Sequence, residues 1–260
     1  MIIIGEKLNS SIPKTLAALT EHNEQFIVDT IKSQADNGAD YIDINTALTG
    51  DDEIKNMKWI IELTKANCSC GIVLDSPNPQ VIMECLPLCN GRKVIVNSIT
   101  LSDKYDRLIS AVKECGAGVI CLPISDGRIP ADAESRFENA AKMIEKLQSV
   151  GIAPENIYID VLIEAVATNQ DAAATTLKTV AMLTKEYKDV NTVCGLSNVS
   201  FGLPCRAKLN SAFLSMLMSA GLKAAILDAA SASIADTVCI ANALLGEDEY
   251  CMDYITRFRS

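Results

Sequence analysis

Histidine is almost missing from this chain: among 260 residues, His22 is the only one. This scarcity excludes a histidine-rich metal site and disfavours a Ser-His-Asp apparatus, which needs a histidine base beside its nucleophile. Aromatic residues are also few, at 5% of the sequence, so the core has to consist of alanine, valine, isoleucine, leucine and methionine. Any catalytic chemistry therefore depends on other polar side chains.

Positive charge and long apolar runs are scarce as well. Lysine and arginine number 23 against 33 aspartates and glutamates, which gives a net charge of -10. Nucleic acid is not an expected partner, because phosphate neutralisation needs a basic surface. No run approaches the roughly 20 apolar residues of a membrane span, and the apolar start ends at Gly5-Glu6-Lys7, too early for a signal peptide. We expect a cytoplasmic protein without a membrane or nucleic-acid partner.

The ten cysteines contain no C-x-x-C pair and no spacing typical of a zinc finger. Several lie in apolar runs, such as TVCGL around Cys194, where a free cysteine packs as a small hydrophobe. We expect most of them to be reduced packing residues in a reducing compartment. The pairs Cys68 with Cys70 and Cys85 with Cys89 are the only places where redox chemistry is a candidate.

Eight short apolar runs recur along the chain, and most are rich in isoleucine or valine. Such runs are typical of strands that are buried on both faces of a parallel sheet. The predicted strands are Met1–Gly5, Ala39–Ile44, Gly71–Leu74, Lys93–Val96, Ala117–Leu122, Ile157–Ile159, Thr192–Leu196 and Leu222–Leu227.

Longer amphipathic stretches separate these runs, and several end at a glycine that would stop a helix, as at Gly38, Gly116, Gly151 and Gly221. Eight strand–helix units of about 32 residues favour a single (β/α)8 TIM barrel, one α/β domain over residues 1–260. A doubly wound open sheet is the alternative, but no glycine-rich phosphate turn follows the first strand. The predicted helices are Asn23–Asn37, Asp51–Ala66, Pro79–Leu88, Asp103–Cys115, Ala131–Val150, Asp171–Tyr187, Arg206–Ala220 and Ile234–Leu245.

Polar residues follow most of the predicted strands, at the end of a barrel where barrel enzymes place their active sites. For Asp75, Asn97, Asp160 and Asn198 we favour a functional role over helix capping. For Glu6 and Asp228 a cap or a brace of the rim is equally expected. The residues at the eight strand ends are Glu6, Asp43 with Asn45, Asp75, Asn97 with Ser98, Pro123, Asp160, Ser197 with Asn198, and Asp228.

This rim offers hydrogen-bond acceptors and amides rather than bases or cations. No lysine ends a strand, which disfavours a Schiff-base aldolase, and we expect Lys7 to be solvated. Aspartate accepts from two neighbouring N–H groups and asparagine pairs with mixed edges, so the set suits a heterocycle such as a pterin. A Mg²⁺ ion bound by carboxylate oxygens is the competing interpretation. Its ligands would be Glu6, Asp43, Asp75 and Asp160.

Six segments, in order along nearly the whole chain, resemble the pterin-binding methyltransferase family. Within it the likeness is to the methyltetrahydrofolate:corrinoid protein methyltransferases, and the last segment is the most specific. The segments are Gly5-Glu6-Lys7-Leu8-Asn9, Tyr41-Ile42-Asp43-Ile44-Asn45, Leu74-Asp75-Ser76-Pro77-Asn78, Val96-Asn97-Ser98, Tyr158-Ile159-Asp160 and GLSNVSFGLP at 195–204.

The resemblance implies a barrel, usually a homodimer, that binds tetrahydrofolate or methyltetrahydrofolate at its mouth in one-carbon metabolism. The methyl group would move between N5 of the folate and the cobalt of a corrinoid (cobalamin) on a separate partner protein, without a metal of the chain's own. Asn198 would be the catalytic residue beside N5. The other implied folate-binding residues are Asp75, Asn97, Asp160, Gly195, Ser197, Phe201 and Arg206, and the supporting rim residues are Glu6, Asp43 and Asn45.

Two positions depart from the family pattern. Lys7 stands where arginine is common after Gly-Glu, and Phe201 stands where some members have glutamine, so the resemblance does not carry over the family's tail contacts at these two positions. The basic signature that we associate with dihydropteroate synthases is missing near the end of the barrel. A Mg²⁺-dependent barrel lyase and a non-catalytic folate-binding subunit are the alternatives to the methyltransferase.

Overall fold

The computed structural model describes residues 1–124 and 127–259, in which eight parallel strands close into one barrel. Neighbouring strands follow chain order, and the first strand pairs with the eighth from Ile2 against Ala224 to Gly5 against Leu227. The predicted (β/α)8 TIM barrel is therefore confirmed. The strands are β1 Ile2–Asn9, β2 Tyr41–Asn45, β3 Gly71–Asp75, β4 Val94–Ile99, β5 Gly118–Cys121, β6 Ile157–Asp160, β7 Asn191–Gly195 and β8 Ala224–Leu227.

Strand β1 is longer than the sequence predicts and continues to Asn9. Its pairing with β2 shifts between Gly5 and Leu8. Glu6 was expected after the strand, and this placement is wrong because Glu6 lies within β1. Asn97 likewise lies inside β4, not beyond its end. The apolar run alone cannot mark the end of a strand that carries polar residues at the barrel mouth.

Helices cover the outside of the barrel, and side chains in the sequence explain several of their starts. Asn23 accepts from Phe26 N at the start of α2, and Asp132 accepts from Ser135 N at the start of α6. Two short helices, α1 and α10, were not predicted from the sequence. The helices are α1 Pro13–Thr20, α2 Glu24–Asp36, α3 Glu53–Asn67, α4 Pro79–Cys85, α5 Asp106–Cys115, α6 Ala133–Ser149, α7 Ala172–Glu186, α8 Arg206–Ser219, α9 Ala232–Leu245 and α10 Met252–Phe258.

Alternate residues of each strand fill the inside of the barrel. The middle of the interior is apolar and contains Ile4, Val73, Ile95, Ile120 and Val193. The other face of each strand packs against the helices in a larger apolar cluster. Polar side chains are left for the last inward positions, at the carboxyl ends of the strands.

Two tyrosines lie at the amino end of the interior, and glycines make room for their rings. A Cβ atom on Gly71 would collide with the ring of Tyr41, and a Cβ atom on Gly118 would lie 3.0 Å from the ring of Tyr158. Burial raises the pKa of both phenols, which keeps them neutral. The amino end is thus occupied by uncharged aromatic groups.

The cysteines are free thiols, and four of them, Cys85, Cys89, Cys121 and Cys194, are fully buried. For these four the predicted packing role is confirmed. Burial raises the pKa of Cys89 to about 12, which disfavours the reactive thiolate. In the described part of the chain, no helix has the length and apolar character needed to cross a membrane.

The glycine predicted to end α8 sits in the most crowded turn. Gly221 has φ +100°, and an added Cβ would lie 2.6 Å from Cγ2 of Thr184 on α7. Gly38, which follows α2, has φ +88° and nothing within 4 Å of an added Cβ. Both positions therefore need a positive φ, but only at Gly221 would an added side chain also collide with a neighbouring helix.

We predict that Gly221→Ala lowers the free energy of unfolding by about 2–4 kcal/mol, as the sum of positive-φ strain and overpacking. The matched variant Gly38→Ala should cost only the strain, about 1–2 kcal/mol. Urea denaturation of both variants checks the difference. Equal losses would show that Thr184 yields without cost.

Candidate functional site

A chain of hydrogen bonds fixes one wall of the mouth, where β1, β2 and β3 end. Ser10 Oγ donates to Asn45 Oδ1 at 2.9 Å, and Asn45 Nδ2 donates to Asp75 Oδ2 at 2.8 Å. Ala47 N also donates to Asn45 Oδ1, at 3.2 Å. The amide of Asn45 is therefore held in one orientation, and its NH₂ group is directed at Asp75.

Burial raises the pKa of Asp75 to about 6, against the hydrogen bond from Asn45, which lowers it. The charge of Glu53 adds a smaller upward shift. Asp75 therefore titrates close to neutral pH. A ligand that donates hydrogen bonds to it would favour the ionised form.

Asp43 lies one inward position deeper than Asn45 on β2, below the rim, and is 1% exposed. Its Oδ1 accepts no hydrogen bond from any residue that the structure describes. Burial first, and then the charge of Asp75, raise the pKa of Asp43 well above its ordinary value, while contact with the Asn97 side chain opposes the rise. This environment favours the protonated carboxyl.

Asp160 ends β6 on another part of the ring, and one of its oxygens is already committed. Oδ1 accepts from Leu162 N at 2.7 Å. Burial raises the pKa of Asp160 to about 6, while the Leu162 N–H and the charge of Arg136 lower it. Asp75 and Asp160 are thus two hydrogen-bond acceptors on different strands of the same mouth, and both have a pKa of about 6.

The loop after β7 contacts β1 across the mouth of the barrel. Ser197 Oγ shares its proton between Glu6 Oε1 and Oε2, at 2.8 and 3.0 Å, across 191 residues of sequence. Arg206 binds the same loop from the other side, with Nη2 donating to Ser197 O at 2.6 Å and Nε to Ser200 Oγ at 3.0 Å. The loop is therefore anchored on two sides.

Asn198 is exposed between these anchors, and its side-chain amide makes no hydrogen bond to residues 1–124 or 127–259. Gly195 lies against it: an added Cβ there would be 3.2 Å from Asn198 Nδ2. A side chain at 195 would crowd the amide, which explains a glycine at this point. The amide is free to bind a ligand.

Phe201 and Arg206 were predicted to contact a ligand tail. Phe201 is 69% exposed beyond the Asn198 loop. Arg206 is exposed as well, but its guanidinium already binds the loop backbone and Ser200. Tail contacts by these two residues stay predictions.

Lys7 is partly exposed to solvent, as expected, but it is also paired with a carboxylate, which was not predicted. Its Nζ lies 2.7 Å from Asp228 Oδ2, and each side chain is about one-third exposed. Its backbone is held by Gln34, whose Oε1 accepts from Lys7 N at 2.9 Å. The sequence offered only one hint of this pair, a lysine directly after Glu6.

A cleft of about 800 Å³ opens where β4 and β5 end, and the sequence did not indicate it. Ser98, Thr100, Leu101 and Leu122 line it together with Tyr105. Its lining combines apolar side chains with several hydroxyls and also includes Asp103 and Lys104. The cleft therefore offers both signs of charge beside apolar surface, whereas carboxylates dominate the mouth.

Carboxylates dominate the electrostatics of the mouth. Burial also raises the pKa of Glu6, although its bond from Ser197 lowers it. Lys7 is paired with Asp228, whereas no lysine or arginine among the described residues forms a salt bridge with Asp43, Asp75 or Asp160. In the described residues, no three histidine, cysteine, aspartate or glutamate side chains are placed to hold a metal ion. The geometry favours a ligand that is rich in N–H donors.

Comparison with known proteins gives the same fold and a related chemistry. The family profile described as "Pterin binding enzyme" matches residues 5–228. The methylcorrinoid:tetrahydrofolate methyltransferase of Eubacterium limosum is 30% identical over 100% of this chain and 96% of its own length. The methionine synthase of Mycobacterium tuberculosis is 30% identical over 88% of this chain, which corresponds to 20% of that longer protein.

Solved structures show the same barrel. A dihydropteroate synthase from Coxiella burnetii in complex with pteroic acid has a TM-score of 0.68 at 17% identity, covering 95% of this chain and 93% of that one. The Yersinia pestis enzyme with a pterine-sulfa conjugate also has a TM-score of 0.68, at 14% identity and 94% coverage of each chain. At such identities the likeness shows the fold alone. The match of the family profile and the full-length relative show that this chain belongs to the pterin-binding enzyme family.

Proposed function

We propose that this protein transfers a methyl group between N5 of tetrahydrofolate and the cobalt of a corrinoid carried by a partner protein. The observation that carries the proposal is that two half-buried acceptors, Asp75 and Asp160, and the free amide of Asn198 lie at one mouth of the barrel. The full-length likeness to a methylcorrinoid:tetrahydrofolate methyltransferase supports it.

In this proposal the pterin ring lies in the acidic part of the mouth. Its amino and ring N–H groups donate to Asp75 and Asp160, and Asn97 pairs with a mixed edge of the ring. Asn45 orients Asp75, while the Glu6–Ser197 bond fixes the wall that includes Gly195. The tail extends outward, where Phe201 and Arg206 lie.

Asn198 supplies the catalytic interaction in this proposal. The methyl carbon passes to the Co(I) nucleophile, which contributes the new bonding pair. N5 retains the pair of the broken C–N bond and takes up one proton from solvent to give tetrahydrofolate. A hydrogen bond from Asn198 Nδ2 that strengthens as charge develops on N5 stabilises the transition state more than the ground state. An amide can do this without a histidine in the mouth.

The same proposal includes the partner, the compartment and the oligomeric state. The corrinoid protein docks over the open mouth, and the chain works in the cytoplasm, in one-carbon metabolism, as one domain over residues 1–260.

We also propose a homodimer, which is supported by apolar side chains that remain exposed on and beside the last two helices. These are Leu244, Tyr250, Met252, Tyr254, Ile255 and Phe258.

A direct test is calorimetric titration with methyltetrahydrofolate, followed by addition of cob(I)alamin and spectroscopy of the cobalt. We expect binding in the micromolar range and conversion of the Co(I) spectrum to that of methylcobalamin, unchanged by EDTA. Absence of binding below millimolar concentrations would overturn the proposal. Loss of activity in EDTA would instead favour the Mg²⁺-dependent lyase.

Asn198→Ala should slow methyl transfer by about 10²–10³-fold, the typical cost of deleting one preorganised donor. Folate binding should weaken much less, because the donor acts mainly in the transition state. Asn198→Asp should behave like the alanine variant at neutral pH, since a carboxylate of similar shape cannot donate. Asn90→Ala, at an exposed asparagine near the amino end of the barrel, is the control. Equal losses in binding and rate would assign Asn198 to binding alone.

Folate affinity should rise with pH through about 6 and level off above 7. Asp75 and Asp160 have pKa values of about 6, raised by burial, and their ionised forms accept the N–H groups of the pterin. Below the pKa, each proton that must leave lowers affinity about tenfold per pH unit. The same groups weaken the ligand-free fold as pH rises from about 4 to 6, because the folded state favours their neutral forms.

Calorimetry of the wild type and of Asp160→Asn across pH 5–8 checks this dependence. The substitution should flatten the part of the profile that Asp160 contributes, while titration of the folate itself affects both proteins equally. An identical profile in the two proteins would contradict the assignment.

A further inference from the structure

Arg136 lies in α6 and is completely buried, which is unusual for a guanidinium. Its nitrogen atoms donate to four acceptors around the segment that follows β6. Nε donates to Pro130 O at 2.9 Å, Nη1 to Val161 O at 3.2 Å and Leu162 O at 2.7 Å, and Nη2 to Glu164 Oε2 at 2.5 Å. A buried charge is tolerated when its donors are satisfied in this way.

The segment that Arg136 binds is the one that holds Asp160. Leu162 has φ +56°, in the left-handed region that a branched side chain rarely occupies. In this conformation its N–H donates to Asp160 Oδ1 and its carbonyl accepts from Arg136. The guanidinium therefore stabilises a strained turn whose N–H orients the carboxylate.

The second oxygen of Asp160 is left for a ligand: Oδ2 accepts no hydrogen bond from the described part of the chain. The groups that bear on this carboxylate are the Arg136 guanidinium from α6 and the Cys194 thiol from β7. Arg136 lowers the pKa of Asp160, and Glu164 partly neutralises Arg136. Arg136 therefore affects Asp160 in two ways: it holds the turn that orients the carboxylate, and its positive charge lowers the pKa of that carboxylate.

We propose that Arg136 is a positioning residue of the methyltransferase site, which clamps the Val161–Glu164 segment so that Asp160 Oδ2 is presented, ionised, to the pterin. This inference rests on the proposed function. Arg136 is fully buried and acts through Leu162, whose N–H binds Asp160. It lies in the first turn of α6, far along the chain from the strand-end motifs, so no motif drew attention to it.

The test compares Arg136 with Arg92, a second arginine that binds two backbone carbonyls but lies at the amino end of the barrel. Arg92 Nη2 donates to Lys65 O at 2.8 Å and to Cys68 O at 2.6 Å. Arg136→Lys keeps the charge but loses the planar fork. We expect methyl transfer to slow about tenfold or more, the scale of a slightly misplaced catalytic group. Arg92→Lys should leave turnover unchanged.

A second readout follows Asp160 itself, by carboxyl carbon NMR without any folate. Arg136→Met should raise the titration midpoint of Asp160, on the order of half a unit or more, because a favourable charge is lost. Glu164→Gln should move the midpoint in the opposite direction, since it leaves the guanidinium unneutralised. A role in folding alone would not produce opposite shifts in two folded variants.

The outcomes separate the two proposals. If the wild type neither binds methyltetrahydrofolate nor transfers a methyl group, the proposed function fails, while the NMR titration still reports on the Arg136–Asp160 coupling. If the wild type is active and Arg136→Lys matches it in rate and midpoint, the Arg136 proposal is overturned. Equal loss in the Arg136 and Arg92 variants, in proportion to stability, overturns it too. Should Arg136→Met fail to fold, the Glu164→Gln midpoint decides.

Discussion

Closure of eight parallel strands into a ring determines which side chains face inward, since alternate residues of each strand point to the interior. Apolar side chains such as Ile4 and Val193 fill the middle, so inward polar groups lie toward the carboxyl ends of the strands, with Asp43 the deepest of the carboxylates. Asp75 and Asp160 occupy such positions, half in the core and half in the mouth. Their burial, raised pKa values and convergence all follow from this one constraint.

The mouth holds more hydrogen-bond acceptors than the chain can satisfy. Among the described residues, Asp43 and Asp228 each have a buried carboxylate oxygen that accepts no hydrogen bond. The ion pair at the mouth is the one between Lys7 and the other oxygen of Asp228. Unpaired buried acceptors lower the stability of the ligand-free fold. A ligand with several N–H donors would hydrogen-bond to these acceptors. Part of its binding free energy would then come from removing the destabilisation that the unpaired acceptors cause in the ligand-free protein.

The barrel was predictable from sequence because its signals are local: apolar runs for strands, and glycines such as Gly116 at helix ends. The inward acidic residues were predictable because strand ends in a barrel meet at one mouth. Contacts across the ring were not predictable. Glu6 and Ser197 are separated by 191 residues, and no local pattern in the sequence indicates that they meet. Arg136 likewise binds a loop that begins 25 residues further along the chain, and only its long side chain makes this contact.

Tyr41 and Tyr158 line a cleft of about 740 Å³ at the amino end of the barrel. Tyr41 and Tyr158 are neutral, and the apolar layer above them offers no polar relay to Asp43. A proton exchanged by Asp43 therefore has to pass through the carboxyl end of the barrel, because the side chains between Asp43 and the amino end are apolar.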